Sequence, residues 1–221
     1  MILFSSYAIH WLSRVPKEVM NKNYLAWNKG RIHYSSSEDD VVWAYKAQFD
    51  KDVEQFLQAR AQEIVCGGLM ALILPRIPNG THHSQNGSSM NLQLLGSCLM
   101  DLARMGMVSE EKVDSFNIPT YHLSPQELEA AVERNGCFSI ERMEDLHVLV
   151  SSNSGNYKIN GQVVASHLTD VMEEIIKQHF GEKILDVLFD CYRKKFDENF
   201  SIFKLGKVNN FFFLLKCRAM D

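Results

Sequence analysis

The sequence lacks the features that would place it in several large classes of protein. Its five cysteines are scattered and form no Cys-x-x-Cys pair, which argues against a zinc site and against a disulfide framework. The 27 acidic residues outnumber the 23 lysines and arginines, so we expect no broad basic surface for nucleic acid. No apolar run approaches the roughly 20 residues that a membrane-spanning helix needs, and no signal-peptide pattern opens the chain. These absences predict a soluble protein of the reducing cytoplasm that binds neither nucleic acid nor a membrane.

Signatures of common enzyme classes are absent as well. The sequence has no glycine-rich phosphate loop, no G-x-S-x-G elbow and no H-E-x-x-H motif. The adjacent His82 and His83 do not favour a metal pair, because neighbouring residues in regular structure face different directions. With 46% hydrophobic residues, the 221-residue chain is long enough for one globular domain. Composition and motifs alone therefore predict a globular domain without assigning its chemistry.

Apolar positions follow helical spacing in some stretches and form short continuous runs in others. Helices are predicted over residues 42–64, 92–102, 125–134, 164–175 and 184–196, and strands over residues 1–4, 69–77 and 211–217 and within residues 138–150. Residues 78–89 carry no periodicity and are predicted as a loop, and residues 110–119 are predicted as a turn. Strands interleaved with helices indicate an α/β fold, in which the helices from Asn91 onward form a cap.

The apolar run at residues 1–4 opens the chain directly as a strand. A strand needs neighbours for its backbone hydrogen bonds, so we expect the sequence to be part of a longer chain whose neighbouring strands are encoded upstream. Residues 5–11 (SSYAIHW) follow this strand with hydroxyl, imidazole and indole groups. Because α/β sheets bind ligands at the carboxyl ends of their strands, this segment is the clearest local indication of a site, with an ordinary polar turn as the alternative.

Several segments of the sequence form an ordered set of motifs. Residues 5–16 (SSYAIHWLSRVP), 27–32 (WNKGRI) and 110–119 (EEKVDSFNIP) are the longest of them. Shorter segments follow at residues 124–129 (SPQELE), 135–138 (NGCF) and 179–182 (HFGE). In order and separation, this set resembles the SABATH family of plant S-adenosylmethionine-dependent carboxyl methyltransferases, over essentially the whole chain. Residues 59–69 and 94–101 resemble most the loganate-type branch of that family.

The resemblance implies an α/β fold, namely the carboxy-terminal part of a Rossmann-like class I methyltransferase sheet with an α-helical cap. Residues 1–77 would form the remainder of the Rossmann-like core, residues 78–137 a helical cap segment with a metal loop, and residues 138–221 the last cap helices and the carboxy-terminal strands. The family's glycine-containing cofactor motif would lie upstream of residue 1. A cytoplasmic homodimer is the expected state.

The activity implied by the resemblance is transfer of a methyl group from S-adenosyl-L-methionine to the carboxylate of a small plant acid. A carboxyl group with a pKa of about 4 is already ionised at neutral pH, so no general base is needed and no catalytic base is assigned. By the same match, His10 and Trp11 would hold the substrate carboxylate through their ring N–H groups. Ser5, Ser6 and Tyr7 would line the cofactor, with the tyrosine ring able to attract the sulfonium cation.

Four further positions are assigned by the match to the wall of the acceptor pocket: Asn91, Leu92, Leu168 and Val208. Family members that bind flat aromatic acids carry bulkier or aromatic groups at the position of Leu92. The smaller and partly polar wall of this sequence disfavours salicylate and benzoate. It suits a bulkier or hydroxylated acid.

A magnesium site is implied by the resemblance as well. Asn28, Asp114, the backbone carbonyl of Phe116 and Asn117 would supply oxygen ligands, which suit Mg²⁺. The ion would order the cap loop without taking part in methyl transfer. The alternative is that Asp114 and Asn117 only build the turn before Pro119.

Two other functions stay open at this point. The first is N-methylation of a purine-like ring, because the pair His10 and Trp11 also occurs in that branch of the family. The second is a catalytically inactive fragment that acts only by binding a partner.

Overall fold

The fold is built around one mixed sheet of four strands. The computed structural model describes residues 1–146, 161–200 and 209–219, so Val208 lies outside it, as does part of the range 138–150 in which a strand is predicted. The strands are β1 (Ile2–Ser6), β2 (Leu69–Arg76), β3 (Phe138–Leu146) and β4 (Asn209–Cys217). Their order in the sheet is β1-β2-β4-β3, with β1 parallel to β2 and with β4 antiparallel to both of its neighbours. This mixed sheet, connected through helices, agrees with the predicted α/β class.

Six α-helices accompany the sheet in the described part of the chain. They are α1 (Asp39–Glu63), α2 (Gly87–Arg104), α3 (Glu110–Ser115), α4 (Pro125–Asn135), α5 (Gly161–Phe180) and α6 (Leu185–Glu198). Short 3-10 turns lie at Lys17–Met20, Tyr34–Ser36, His83–Gln85 and Glu182–Ile184. Within the described ranges, no helix has the length and apolar character that crossing a membrane requires.

The apolar residues form two separate cores. The first lies between the sheet and helices α1 and α4, where Phe49, Leu72 and Phe213 are fully buried. The second holds α2, α3, α5 and α6 together through residues such as Leu99 and Leu188. A sheet layer and a helical cap therefore stand side by side, each with its own hydrophobic stabilisation. The three segment boundaries inferred from the sequence stay a prediction.

Two segments that were predicted to be connections, residues 78–89 and 110–119, contain helical residues. Helix α2 begins at Gly87, inside the predicted loop, because the side chain of Asn86 accepts a hydrogen bond from the Ser88 N–H and caps the first turn. The predicted turn at 110–119 begins with α3, which Ser109 caps in the same way. Capping groups, rather than apolar periodicity, start both helices, and a six-residue helix is too short to show a period.

The start of α4 follows its sequence signal closely. Ser124 and Glu127 form a reciprocal capping box around Pro125, and Gly136 ends the helix with a φ of 74°. Glu127 also accepts a hydrogen bond of 2.7 Å from the hydroxyl of Tyr121. The capped helix thereby anchors the carboxyl end of the segment that runs from residue 118 to residue 123.

Candidate functional site

Strand β1 ends in a strained turn at Tyr7. The residue has a φ of 52°, a left-handed conformation that a residue other than glycine rarely adopts. Its N–H donates a hydrogen bond of 2.8 Å to the carbonyl of Ile73, which closes the pairing of β1 with β2. Ser5, Ser6 and Tyr7, the positions assigned to the cofactor, therefore lie together at the carboxyl ends of two parallel strands. This is the edge of an α/β sheet at which ligands bind.

The residues after the turn pair with a segment far along the chain. The Leu12 N–H donates to the Pro119 carbonyl at 2.7 Å, and the Tyr121 N–H donates to the His10 carbonyl at 2.8 Å. Between these two bonds, Trp11 and Thr120 form an isolated antiparallel bridge. We call His10 and Trp11 the clamp. These hydrogen bonds fix the backbone of the clamp, and the centroids of its two rings are 5.7 Å apart.

The imidazole of His10 is buried and has an unmet hydrogen-bonding atom. His10 is 8% exposed, and its Nδ1 has no hydrogen-bond partner in the described part of the chain. Burial lowers the pKa of His10 to about 4, because the charged form is poorly solvated there. At neutral pH the ring is therefore uncharged and offers one N–H donor and one acceptor. A ligand at this place would satisfy an atom that the described residues leave without a partner.

Two more buried histidines lie against the clamp. The rings of His10 and His122 are nearly parallel, at 14°, with centroids 6.3 Å apart, and the ring of His33 is 5.7 Å from that of His122. Burial, followed by the charges of His10 and His83, lowers the pKa of His122 to about 3. Burial, followed by the charge of His122, lowers the pKa of His33 well below its ordinary value. We call His10, His33 and His122 the histidine cluster.

Sequence reasoning singled out only His10 from this cluster. Its three members come from distant parts of the chain, so no spacing pattern connects them. The signal available was that His33 directly follows one family motif and that His122 lies three residues beyond another.

The segment that carries His122 is fixed by residues 33–35, which precede α1 in the chain. His33 contacts the Thr120 hydroxyl through Nε2 at 3.2 Å and the Ser35 hydroxyl through Nδ1 at 3.0 Å. The Tyr34 hydroxyl accepts the N–H of His122 at 2.9 Å. These contacts fix the segment that in turn pairs with the clamp.

The predicted pocket wall is only partly brought together. Leu92 is buried in the core of the cap, and Trp11 and Leu168 pack against that same core. Asn91 accepts a hydrogen bond of 2.7 Å from the Tyr192 hydroxyl, which ties α2 to α6. Val208 lies outside the described residues. The structure therefore associates Trp11, Leu92 and Leu168 with one apolar cluster, and the role of each in binding stays a prediction.

The side chains predicted to bind magnesium converge near the turn at Gly30. Asn28 donates to the Asn117 side-chain oxygen at 2.7 Å and accepts from Ser37 at 2.5 Å. Asp114 accepts from the Gly30 N–H at 2.7 Å, and Phe116 directly follows α3 at its carboxyl end. We call Asn28, Asp114, Phe116 and Asn117 the asparagine cluster.

The asparagine cluster matches the chemistry of Mg²⁺ only in part. Two amides, a carboxylate and a backbone carbonyl are hard oxygen donors, as that cation prefers. Both amide oxygens, however, already accept hydrogen bonds, that of Asn117 from Asn28 and that of Asn28 from Ser37. In the described ranges, no group of three or more His, Cys, Asp or Glu side chains could hold a metal ion. The predicted magnesium set contains a single residue of those types, Asp114.

Comparison with known proteins assigns the family. Residues 1–217 match the family model described as SAM dependent carboxyl methyltransferase. The chain belongs to this family. It is 47% identical to a loganic acid O-methyltransferase of Catharanthus roseus over 214 residues, which are 96% of this chain and 57% of that protein. It is 39% identical over 195 residues to a probable S-adenosylmethionine-dependent methyltransferase of Arabidopsis thaliana, with coverages of 88% and 53%. A probable caffeine synthase 2 of Camellia sinensis is 35% identical over 216 residues, with coverages of 97% and 59%.

A solved structure of a loganic acid methyltransferase with SAH superposes with a TM-score of 0.93 at 45% sequence identity. It covers 99% of this chain, and the match covers 61% of that chain. The chain thus spans little more than half the length of the curated relatives that it matches, 57% of the C. roseus protein. The predicted family and its methyltransferase fold are confirmed by these matches.

The histidine cluster predicts a specific dependence of stability on pH. Its members have lowered pKa values in the folded chain and ordinary values, near 6.5, in the unfolded chain. Above pH 6.5 neither state binds the extra protons, so the folded chain keeps its full stability. As the pH falls below 6.5, only the unfolded chain takes up protons, and the folded chain loses stability. At pH 5, protonation of His10 and of His122 in the unfolded chain should each lower the free energy of unfolding by about 2 kcal/mol. His33 should act in the same direction. Urea unfolding at pH 7.5, 6 and 5 measures the effect.

Substitution of His122 provides the matched comparison for that measurement. His122→Gln should reduce the slope of stability against pH by up to about 1.4 kcal/mol per unit between pH 6 and pH 5. His167→Gln, at an exposed position of α5, is the control and should leave the slope unchanged. Parallel curves for the His122 variant and the parent would contradict the buried neutral state of this ring.

Proposed function

We propose that this chain forms the acceptor-binding part of a methyltransferase that converts a small plant carboxylic acid into its methyl ester. A carboxylate oxygen attacks the methyl carbon, the carbon–sulfur bond breaks, and its electron pair stays on sulfur to give S-adenosylhomocysteine. The observation that carries this is the clamp at the carboxyl end of β1, where the buried neutral His10 has an unmet Nδ1 beside Trp11. Family membership supports it.

The clamp acts by positioning. A neutral imidazole N–H and the indole N–H can donate to a carboxylate without transferring a proton to it, so the attacking oxygen keeps its charge. Backbone pairing with residues 119–121 prevents the two rings from moving apart. Holding two reacting groups in line can supply about 7 kcal/mol or more of the barrier. S-adenosyl-L-methionine supplies the electrophilic methyl group when it is bound, and no general base takes part.

The cofactor side of the site fits the positions assigned to it. Ser6 and Tyr7 are exposed at the carboxyl end of β1, and Tyr7 is 46% exposed. An accessible aromatic face can attract a sulfonium cation. Burial raises the pKa of the Tyr7 hydroxyl, and the side chain of Asn210 on β4 opposes that rise. The ring also meets that of His10 nearly at a right angle, with centroids 6.4 Å apart.

The proposed acceptor is a bulkier or hydroxylated acid rather than salicylate or benzoate. Leu92 provides a buried aliphatic wall at the position where aromatic-acid enzymes of the family carry larger groups. A relative that is 47% identical is a loganic acid O-methyltransferase, and this supports an acid of that class. Homodimerisation and a cytoplasmic location stay predictions from the family resemblance.

A labelling assay tests the proposed reaction against N-methylation. The protein for this assay, called the completed protein below, is this chain preceded by the amino-terminal part of the C. roseus enzyme. With labelled S-adenosylmethionine and a panel of carboxylic acids and xanthines, we expect label in methyl esters. The caffeine synthase relative, at 35% identity, is the observation that keeps the xanthines in the panel. Label found only in xanthines would refute the carboxyl reaction, and no label in any acceptor would favour an inactive fragment.

Removing the indole should damage positioning directly. In the completed protein, Trp11→Ala should lower kcat/KM about tenfold to a thousandfold, by raising KM and lowering kcat together. Trp43→Ala is the control, since Trp43 is 62% exposed on α1, and it should turn over like the parent. Parent-like turnover of the Trp11 variant would show that this residue only fills the core.

We also propose that the asparagine cluster binds Mg²⁺ and orders the loop between α3 and Pro119. In that case, Asn28 and Asn117 would exchange their mutual hydrogen bond for contacts to the cation. At a hundred times its dissociation constant, Mg²⁺ should stabilise the 221-residue chain by about 2.7 kcal/mol, or about 5–10 °C in Tm. Asp114→Asn should abolish the shift. If melting curves in Mg²⁺ and in EDTA superimpose, the cluster is a metal-independent turn.

A further inference from the structure

A polar strip leads from the clamp to the first turn of α2. The ring of His10 lies beside that of His122, and the Nδ1 of His122 is 3.5 Å from the hydroxyl oxygen of Ser89. Ser89 is fully buried near the start of α2 and precedes Leu92 by three residues, so both lie on one face of the helix. His122 therefore stands between the group that would hold the carboxylate and the predicted pocket wall.

The strip has more hydrogen-bonding capacity than its neighbours use. In the ranges that the structure describes, the contact with Ser89 is the one hydrogen bond of the His122 imidazole, and 3.5 Å is long for such a bond. Nδ1 of the adjacent His10 has no partner among the same residues. A buried polar atom without a partner is costly, so Nδ1 of His10, beside a His122 ring that makes one long hydrogen bond, indicates a missing polar group.

The chemistry of the strip specifies that group. No carboxylate is in ion-pair contact with His122 among the described residues, and its low pKa keeps the ring neutral at physiological pH. A neutral imidazole and a serine hydroxyl each offer a donor and an acceptor. A hydroxyl group on the acid also offers one donor and one acceptor, so it can bond to both side chains. An apolar ring would leave the hydrogen-bonding atoms of His122 and Ser89 unsatisfied.

We propose that His122 and Ser89 form a hydroxyl-binding subsite of the acceptor pocket, next to the clamp, and that His122 selects hydroxylated acids over acids without a hydroxyl. This rests on the proposed carboxyl methylation. Sites built to bond a substrate hydroxyl discriminate strongly, because the analogue without it leaves buried polar groups unpaired. The alternative, a histidine whose ring only packs against those of His10 and His33, predicts no such selectivity.

The test uses the completed protein and a matched set of probes. Cyclohexanecarboxylic acid and its 3- and 4-hydroxy derivatives are measured as inhibitors of methylation of the panel acid with the highest turnover. At least one hydroxy acid should have an inhibition constant about tenfold or more below that of cyclohexanecarboxylic acid. His122→Phe should remove this advantage while changing the constant of the hydroxyl-free acid less than about threefold, and His122→Gln should retain most of it.

Two further variants separate recognition from folding. Ser89→Ala should reduce the advantage of the hydroxy acid about threefold, because one of two polar partners is lost. His167→Phe is the control, since His167 lies at an exposed position of α5, and it should leave the ratio of the two constants unchanged. Thermal melting checks that each variant is folded.

The outcomes distinguish the subsite from the function on which it rests. Equal inhibition by all three acids in the parent, or equal weakening of all three by His122→Phe, would overturn the subsite while leaving carboxyl methylation intact. A completed protein that methylates no acid would overturn the proposed function, and the subsite would fall with it.

Discussion

The backbone pairing between residues 10–12 and residues 119–121 is the contact on which the rest of the site depends. It joins the end of β1, which belongs to the sheet layer, to the segment between α3 and α4, which leads out of the cap. Without it, His10 and Trp11 would follow the strained turn at Tyr7 into an open loop. With it, the two rings acquire fixed neighbours from both cores, and His122 is brought beside His10.

A second constraint is the burial of the histidine cluster, which has no ion-pair contact with an acid among the described residues. A buried charged ring would cost several kcal/mol, so the cluster persists only in its neutral form. Under the proposed function, neutral rings would hold a carboxylate by donated hydrogen bonds and leave its negative charge on the attacking oxygen. The arrangement would then exchange strong electrostatic binding of the acid for a nucleophile that remains reactive, and it lowers stability in acid.

The sequence predicted the elements that carry a repeated local signal. The long helix α1 shows helical periodicity, β2 and β4 show continuous apolar runs, and the start of α4 shows a full capping box. It did not predict α3 or the first turn of α2, because capping side chains start them and their residues carry no apolar period.

The site was predictable only where a motif carried it. His10 and Trp11 stand in a segment that resembles the family, so they could be assigned from the sequence. His33 and His122 could not, since their position beside His10 depends on pairing between segments that lie far apart in the chain and leave no mark in local spacing. The asparagine cluster lies between these cases, because the family resemblance implied its convergence but not the hydrogen bonds that Asn117 and Ser37 make to Asn28.

The pairing of residues 10–12 with residues 119–121 is short as well as distant in sequence. The hydrogen bond between Tyr121 and His10 joins residues more than one hundred positions apart, and closing so large a loop carries an entropic cost before any contact repays it. Strands β2 and β4 pair across a still longer separation, but they do so along eight consecutive residue pairs, from Leu69 with Lys216 to Arg76 with Asn209. The isolated bridge between Trp11 and Thr120 has no such continuation, so the amides of Leu12 and Tyr121 should exchange with solvent more readily than those of the paired strands. The place where the acid would bind is for this reason held by a pairing that opens before the sheet beside it.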